Sequence, residues 1–177
     1  MVYEWYVITG GPCSGKTTII NELSKLGFFT VPEAAREILE QEKADGKRVE
    51  EIRKNELEFQ IRVLWAKIRN EMEAPRDRIV FFDRGIPDSI AYYEFMGIKH
   101  EELMEYCKDR KYKKVFFLEL LPFKKDDARI EDEEKARKLS ELILKVYTEL
   151  GYDVIKIPVL PIKERVKMIL EHVKKKI

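Results

Sequence analysis

The chain predicts an α/β fold: a mostly parallel sheet covered by helices on both faces. Two observations carry this. Short apolar runs alternate with longer segments of helical period, and a glycine-rich turn joins the first apolar run directly to the first helical segment. At 177 residues, 45% of them hydrophobic and interleaved with charge, the chain reads as one domain over residues 1–177.

The expected strands are Trp5 to Thr9, Phe28 to Val31, Arg78 to Phe82, Lys114 to Leu118 and Asp153 to Ile157. Ile19, Ile20, Leu23 and Leu26 give a first helix, stopped by Gly27. Leu57, Ile61, Leu64 and Ile68 recur at helical spacing, so one long helix is predicted over Val49 to Met72 with these residues inward. Asp132, Glu133 and Glu134 place acidic residues at the favourable end of a helix that runs to Gly151. A last helix follows Pro161, and there is no internal repeat.

Composition narrows the function. Lys and Arg number 34 against 33 for Asp and Glu, a net charge of +1, so no global field favours nucleic acid or an anionic membrane. No apolar stretch approaches the ~20 residues of a membrane span, and the first residues lack a basic leader, so a cytoplasmic protein is expected. Two cysteines make no disulfide framework. The abundance of Lys and Glu, with Gln only at 41 and 60, resembles the usage of hyperthermophile proteins.

The chemistry starts at Gly10-Gly11-Pro12-Cys13-Ser14-Gly15-Lys16-Thr17, a G-x-x-x-x-G-K-[ST] phosphate-binding loop between strand and helix. Glycines let backbone N–H groups converge on phosphate oxygens, and the helix start points its positive end at the same anion. Lys16 is placed to reach the β- and γ-phosphates, Thr17 to ligate Mg²⁺, and Thr18 to complete the cradle. Cys13 reads as a small loop residue, with a reactive thiol as the alternative.

Ligand sites in such sheets gather outside the carboxyl ends of the strands. Strand two ends in Val31-Pro32-Glu33, and the proline keeps Val31 extended, so Glu33 arrives just past the strand tip. It reads as a base or hydrogen-bond acceptor for a substrate hydroxyl, or an indirect Mg²⁺ ligand, against a plain helix-start residue. Strand three ends at Asp83-Arg84-Gly85, the Walker B arrangement: an acid for Mg²⁺, with Arg84 suited to grip a phosphoryl group bidentately. Asp88 is either a substrate contact or a first-turn acid, and Tyr92 and Tyr93 follow it. The charged connection from Leu121 to Ile130 reads as a lid over about 122–137, with Arg129 placed to neutralise a transferring phosphoryl group. Lys135 and Arg137 bracket the next helix start, and Arg137 reads as a substrate contact or a solvated helix residue. The turn Ile157 to Pro161 suits a nucleobase or ordinary turn chemistry.

With GGPCSGKT, VPEAAR at 31–36, FFDRG at 81–85 and RIEDEEKAR at 129–137 in this order, nearly the whole chain resembles a family of small P-loop ATPases, AAA-type by name and kinase-like in build. That family looks related to the ribosylnicotinamide kinase domain and, more distantly, to thymidylate and deoxynucleoside kinases. The resemblance implies a five-stranded parallel sheet of order 2-3-1-4-5, a lid after strand four, and Mg²⁺-NTP as donor. It implies a base role for Glu33, phosphate and metal roles for Asp83 and Arg84, and acceptor contacts at Arg36 and Gln60. Arg84 stands where AAA ATPases carry a second acid, which favours kinase chemistry over mechanical hydrolysis. No N-K-x-D guanine motif is present, so ATP is the default nucleotide. The expected partners are a nucleotide triphosphate and a small-molecule acceptor, with room for a homodimer; the alternative is a nucleotide-dependent regulatory switch, needing only the loop, Thr17 and Asp83.

Overall fold

A computed structural model describes residues 3–109, 111–122 and 130–173. Five parallel strands are joined by helices in the order β1 (Trp5–Thr9), α1 (Lys16–Lys25), β2 (Phe29–Val31), α2 (Ala34–Ala44), α3 (Val49–Ile52), α4 (Glu56–Glu73), β3 (Val80–Asp83), α5 (Ile86–Phe95), α6 (Glu101–Cys107), β4 (Lys114–Leu118), α7 (Ile130–Glu149), β5 (Val154–Ile157) and α8 (Ile162–Val173). The sheet order is β2-β3-β1-β4-β5, as the resemblance implied. β1 lies at its centre, pairing Val7 with Phe82 on one side and with Val115 on the other.

The two-residue period of the strands sorts their side chains into two cores. Trp5, Val7, Phe82 and Val115 face α5 and α7, where Ile90, Ile143 and Tyr147 are fully buried. Tyr6, Ile8, Phe81 and Phe116 face the other way, onto Ile19 and Leu23 of α1 and Ile169 of α8. β1, buried on both faces, therefore reads as a continuous apolar run. A third, smaller core joins α2, α3 and α4 through Ala34, Ile52, Phe59 and Val63.

One element differs from its expectation. The segment 49–72 is two helices, because Asn55 accepts a hydrogen bond from the Glu58 N–H (3.2 Å) and so starts α4 afresh. The inward face is also rotated. Leu57 and Ile61 are 41% and 40% exposed, and Leu64 and Ile68 only half-buried, while Phe59, Gln60, Val63, Lys67 and Glu71 are the buried positions. Three of those five are polar, and two of them, Gln60 and Lys67, line a cleft. Smaller shifts bring Asp83 inside β3 and start α7 at Ile130.

Candidate active site

Gly15, at φ +83°, is the residue before α1, and its left-handed backbone turns the loop into the helix. Pro12, Cys13, Gly15, Lys16, Thr17 and Thr18 line one end of a cleft of about 630 Å³. Gly10 and Gly11 precede these residues, and a Cβ on Gly11 would sit 2.9 Å from the Ala136 carbonyl and the Ser140 Cβ, so α7 leaves no room for a side chain. Lys16 folds back on its own loop: Nζ donates to Gly11 O (2.7 Å) and Ser14 Oγ (3.1 Å). Burial and then the Arg84 charge pull its pKa down to about 7, against the carboxylates of Asp83, Glu33 and Asp88.

Arg84 sits at the tip of β3 with φ +70°, a conformation costly for a side chain of this size. Four contacts hold it there. Its N–H donates to Ile8 O (3.0 Å), Nε to Glu33 Oε1 (2.9 Å), and Nη1 to Gly10 O (3.1 Å) and Asp88 Oδ1 (2.9 Å). The guanidinium is buried and stacked near the Tyr92 ring, so most of its donors are spent on the protein. It is a clamp linking the phosphate loop, Glu33 and α5, rather than the free bidentate fork expected for a phosphoryl group.

Glu33 precedes α2, yet its side chain makes no cap bond to that helix. It crosses to Arg84, lines the cleft, and leaves Oε2 without a protein partner among the described residues. Burial would raise its pKa, but Arg84 and then Lys16 outweigh that and hold it below the usual carboxylate range. Asp83 behaves oppositely: burial first, then Glu33, pushes it up to about 6. Its Oδ1 is sealed from solvent and has no hydrogen-bond partner among the described residues.

Asp88 is fully buried and does not line the cleft. It accepts from Thr9 Oγ1 (2.6 Å), the Gly85 N–H (2.9 Å), Tyr147 Oη (2.7 Å) and Arg84, so it orients Arg84 and has no oxygen left for a substrate. Arg137 is likewise away from the cleft. It is exposed and donates twice to Glu133 within α7 (3.1 and 2.6 Å), the solvated-residue alternative. Arg129, and the lid residues 123–129 with it, lie outside the described residues. Arg36 and Gln60 both line the cleft, Gln60 with its amide nitrogen on Glu56 (2.9 Å).

Two residues escaped sequence reading. Arg165 of α8, 2% exposed, donates from Nη1 to Ser14 O (3.0 Å) and from Nη2 to Glu119 O (3.3 Å), tying the last helix to the phosphate loop. Lys67 of α4 is buried on the cleft wall. Its signal was a lysine on the buried stripe of a helix, legible only once the phase of α4 is known.

The model of the AAA-domain family matches residues 5–165. The chain belongs to the AAA-domain family. No curated protein matches it. Among solved structures, this AAA-domain chain is similar to a deoxyadenosine kinase from M. mycoides with bound dATP, at 17% identity and a TM-score of 0.66, covering 97% of this chain and 100% of that one. It is similar to a thymidylate kinase from Ehrlichia chaffeensis at 15% identity and TM-score 0.67, covering 96% and 98%. An NadR protein in complex with NR matches at 19% identity and TM-score 0.68, over 98% of this chain and half of the other. These likenesses show a kinase-type P-loop fold.

Proposed function

We propose that this AAA-domain chain is a small-molecule kinase that transfers the γ-phosphoryl group of ATP to a nucleoside- or nucleotide-like acceptor. The observation that carries the reading is Glu33: its carboxylate crosses into the cleft beside the phosphate loop instead of capping α2. The cleft supports it as well. It extends beyond the loop to residues of α2 and α4, among them Leu39, Phe59, Gln60 and Val63, and its volume suits a small organic ligand rather than a single attacking water.

Lys16 exchanges Gly11 O and Ser14 Oγ for phosphate oxygens when nucleotide enters. Glu33 accepts the hydrogen bond of the acceptor hydroxyl. As the acceptor oxygen bonds to the γ-phosphorus and the bond to the β,γ-bridging oxygen breaks, the hydroxyl proton passes to Glu33 and then to solvent. The lowered pKa of Glu33 suits a loose transition state in which the proton leaves late. Lys16 and Arg84 supply fixed positive charge beside the transferring group. The residues fit Mg²⁺: Asp83 Oδ1 is a buried acceptor with no partner among the described residues, and Thr17 lines the cleft one residue after Lys16. These two would hold the ion, which when bound neutralises phosphate charge.

The test is a screen of nucleosides, nucleotides and vitamin-like ribosides with ATP and Mg²⁺, reading ADP release above the acceptor-free rate. Glu33→Gln is expected to lower acceptor-dependent turnover by roughly 10²- to 10⁴-fold with ATP affinity retained. Acceptor-independent turnover that Glu33→Gln leaves intact would overturn the kinase reading in favour of the switch.

A further inference from the structure

Lys67 is a cation in an unusual position. It is 6% exposed, on the face of α4 that forms the wall of the cleft, one helical turn beyond Val63. Among the described residues its ammonium makes one hydrogen bond, Nζ to Ser89 Oγ (3.0 Å), and no carboxylate lies within ion-pair distance. The nearest acids are committed elsewhere: Asp88 to four donors and Glu33 Oε1 to Arg84. An ammonium withdrawn from water without a counter-ion is costly, and two of its three donors have no protein acceptor. Ser89 is itself fully buried, so it fixes the direction of Nζ.

α2 brings two more cations to the lining of the same cleft. Arg36 and Lys43 line it, and neither has a partner among the described residues. Arg53, the other rim arginine, is held by Glu56 through two hydrogen bonds (2.9 and 2.6 Å). The unpaired charge of the acceptor half is therefore mainly positive, offset by Glu40.

We propose that Lys67 is an acceptor-binding residue, and that the acceptor carries an anionic oxygen group, phosphoryl or carboxylate, which Lys67 receives with Arg36 of the same cleft lining. The assignment rests on the kinase reading of the cleft and deepens it by naming the class of acceptor. A hydroxyl would fill a donor of Lys67 without balancing its charge; an anion does both. Burial lowers the Lys67 pKa to about 8, with Asp88 opposing, so the group is still mostly charged at neutral pH.

The experiment titrates inorganic phosphate, and separately acetate, into protein saturated with Mg²⁺ and a non-hydrolysable ATP analogue, so that the phosphate loop is filled and only the acceptor half is open. Calorimetry on the wild type is expected to show one anion site, with whichever of the two anions binds tighter naming the group. Lys67→Met is expected to weaken that site at least tenfold while the affinity for the ATP analogue, measured first, stays within about twofold. Melting curves establish that the variant is folded, and Lys67→Gln takes its place if it is not. No anion site in the wild type, or one that both substitutions leave unchanged, would overturn the assignment. The ADP-release screen is read separately, so a missing acceptor and a missing anion site are distinguishable results.

Discussion

Asp83 carries opposite demands of stability and chemistry. Its pKa is raised from 3.8 to about 6 by burial and by Glu33, so the folded protein holds this proton more tightly than the unfolded chain. Its ionisation therefore costs nothing below about pH 4, and the cost grows as pH rises toward 6, reaching on the order of 3 kcal/mol at neutral pH. Asp83→Asn removes the charge and keeps the shape. Without nucleotide the variant is expected to melt several degrees higher than the wild type at pH 7, with the gap closing below pH 4. Its Mg²⁺-dependent nucleotide binding is expected to weaken, whereas metal-free binding is retained. Melting curves across pH with a magnesium titration check both halves, and wild-type turnover across that titration would return Asp83 to a structural turn residue.

At the scale of elements, the site is held by the junction of β3 and α5. Gly85 separates Arg84 from α5, and a Cβ there would stand 2.7 Å from Tyr147 Oη and 2.8 Å from Tyr112 Oη. These hydroxyls have work of their own. Tyr147 donates to Asp88, and Tyr112 donates to Glu71 while accepting from the Ile86 N–H (3.1 Å). Gly85 has an ordinary backbone (φ −104°), so the constraint is one of space rather than strain. Gly85→Ala is expected to cost about 1–3 kcal/mol by overpacking. It is also expected to loosen Arg84 through Asp88. Thermal melts measure the first effect, and a loss of acceptor-dependent turnover larger than the loss of nucleotide affinity would reveal the second.

For the whole molecule, ligand and fold are linked through Lys16. Its pKa falls from 10.5 to about 7, so the folded state binds this proton less well than the unfolded chain, and the stability lost to its burial is recovered as pH rises from 7 toward 10.5. Lys16→Met removes a buried cation. It is expected to leave the nucleotide-free protein at least as stable as the wild type at pH 7, yet to abolish the thermal shift with Mg²⁺-ATP. That shift corresponds to about 2.7 kcal/mol at a hundredfold excess of ligand over Kd in the wild type. A full shift retained in Lys16→Met would contradict the assignment of the loop.

The sheet, its order and the loop at the end of β1 were legible because they rest on local signals: apolar runs of strand length, a glycine pattern with fixed spacing, and the resemblance those motifs carried. Val31-Pro32-Glu33 was legible for the same reason, since proline restricts the residue before it whatever the rest of the chain does. The roles of Arg84 and Asp88 were not, because both are settled by partners 51 to 79 residues away along the chain, Glu33, Gly10, Thr9 and Tyr147. The phase of α4 escaped for a related reason. Its apolar period at Leu57, Ile61, Leu64 and Ile68 was real, but burial is decided by what packs against a helix, and α2 and α5 cover the face bearing Phe59, Val63 and Lys67. Sequence alone thus determined that the chain folds around a phosphate loop with acids at the neighbouring strand tips. Only the tertiary structure decided which acid faces the cleft, which is spent on Arg84, and that a lysine is walled in beside them, because ion pairing and desolvation depend on distances that the order of residues does not contain.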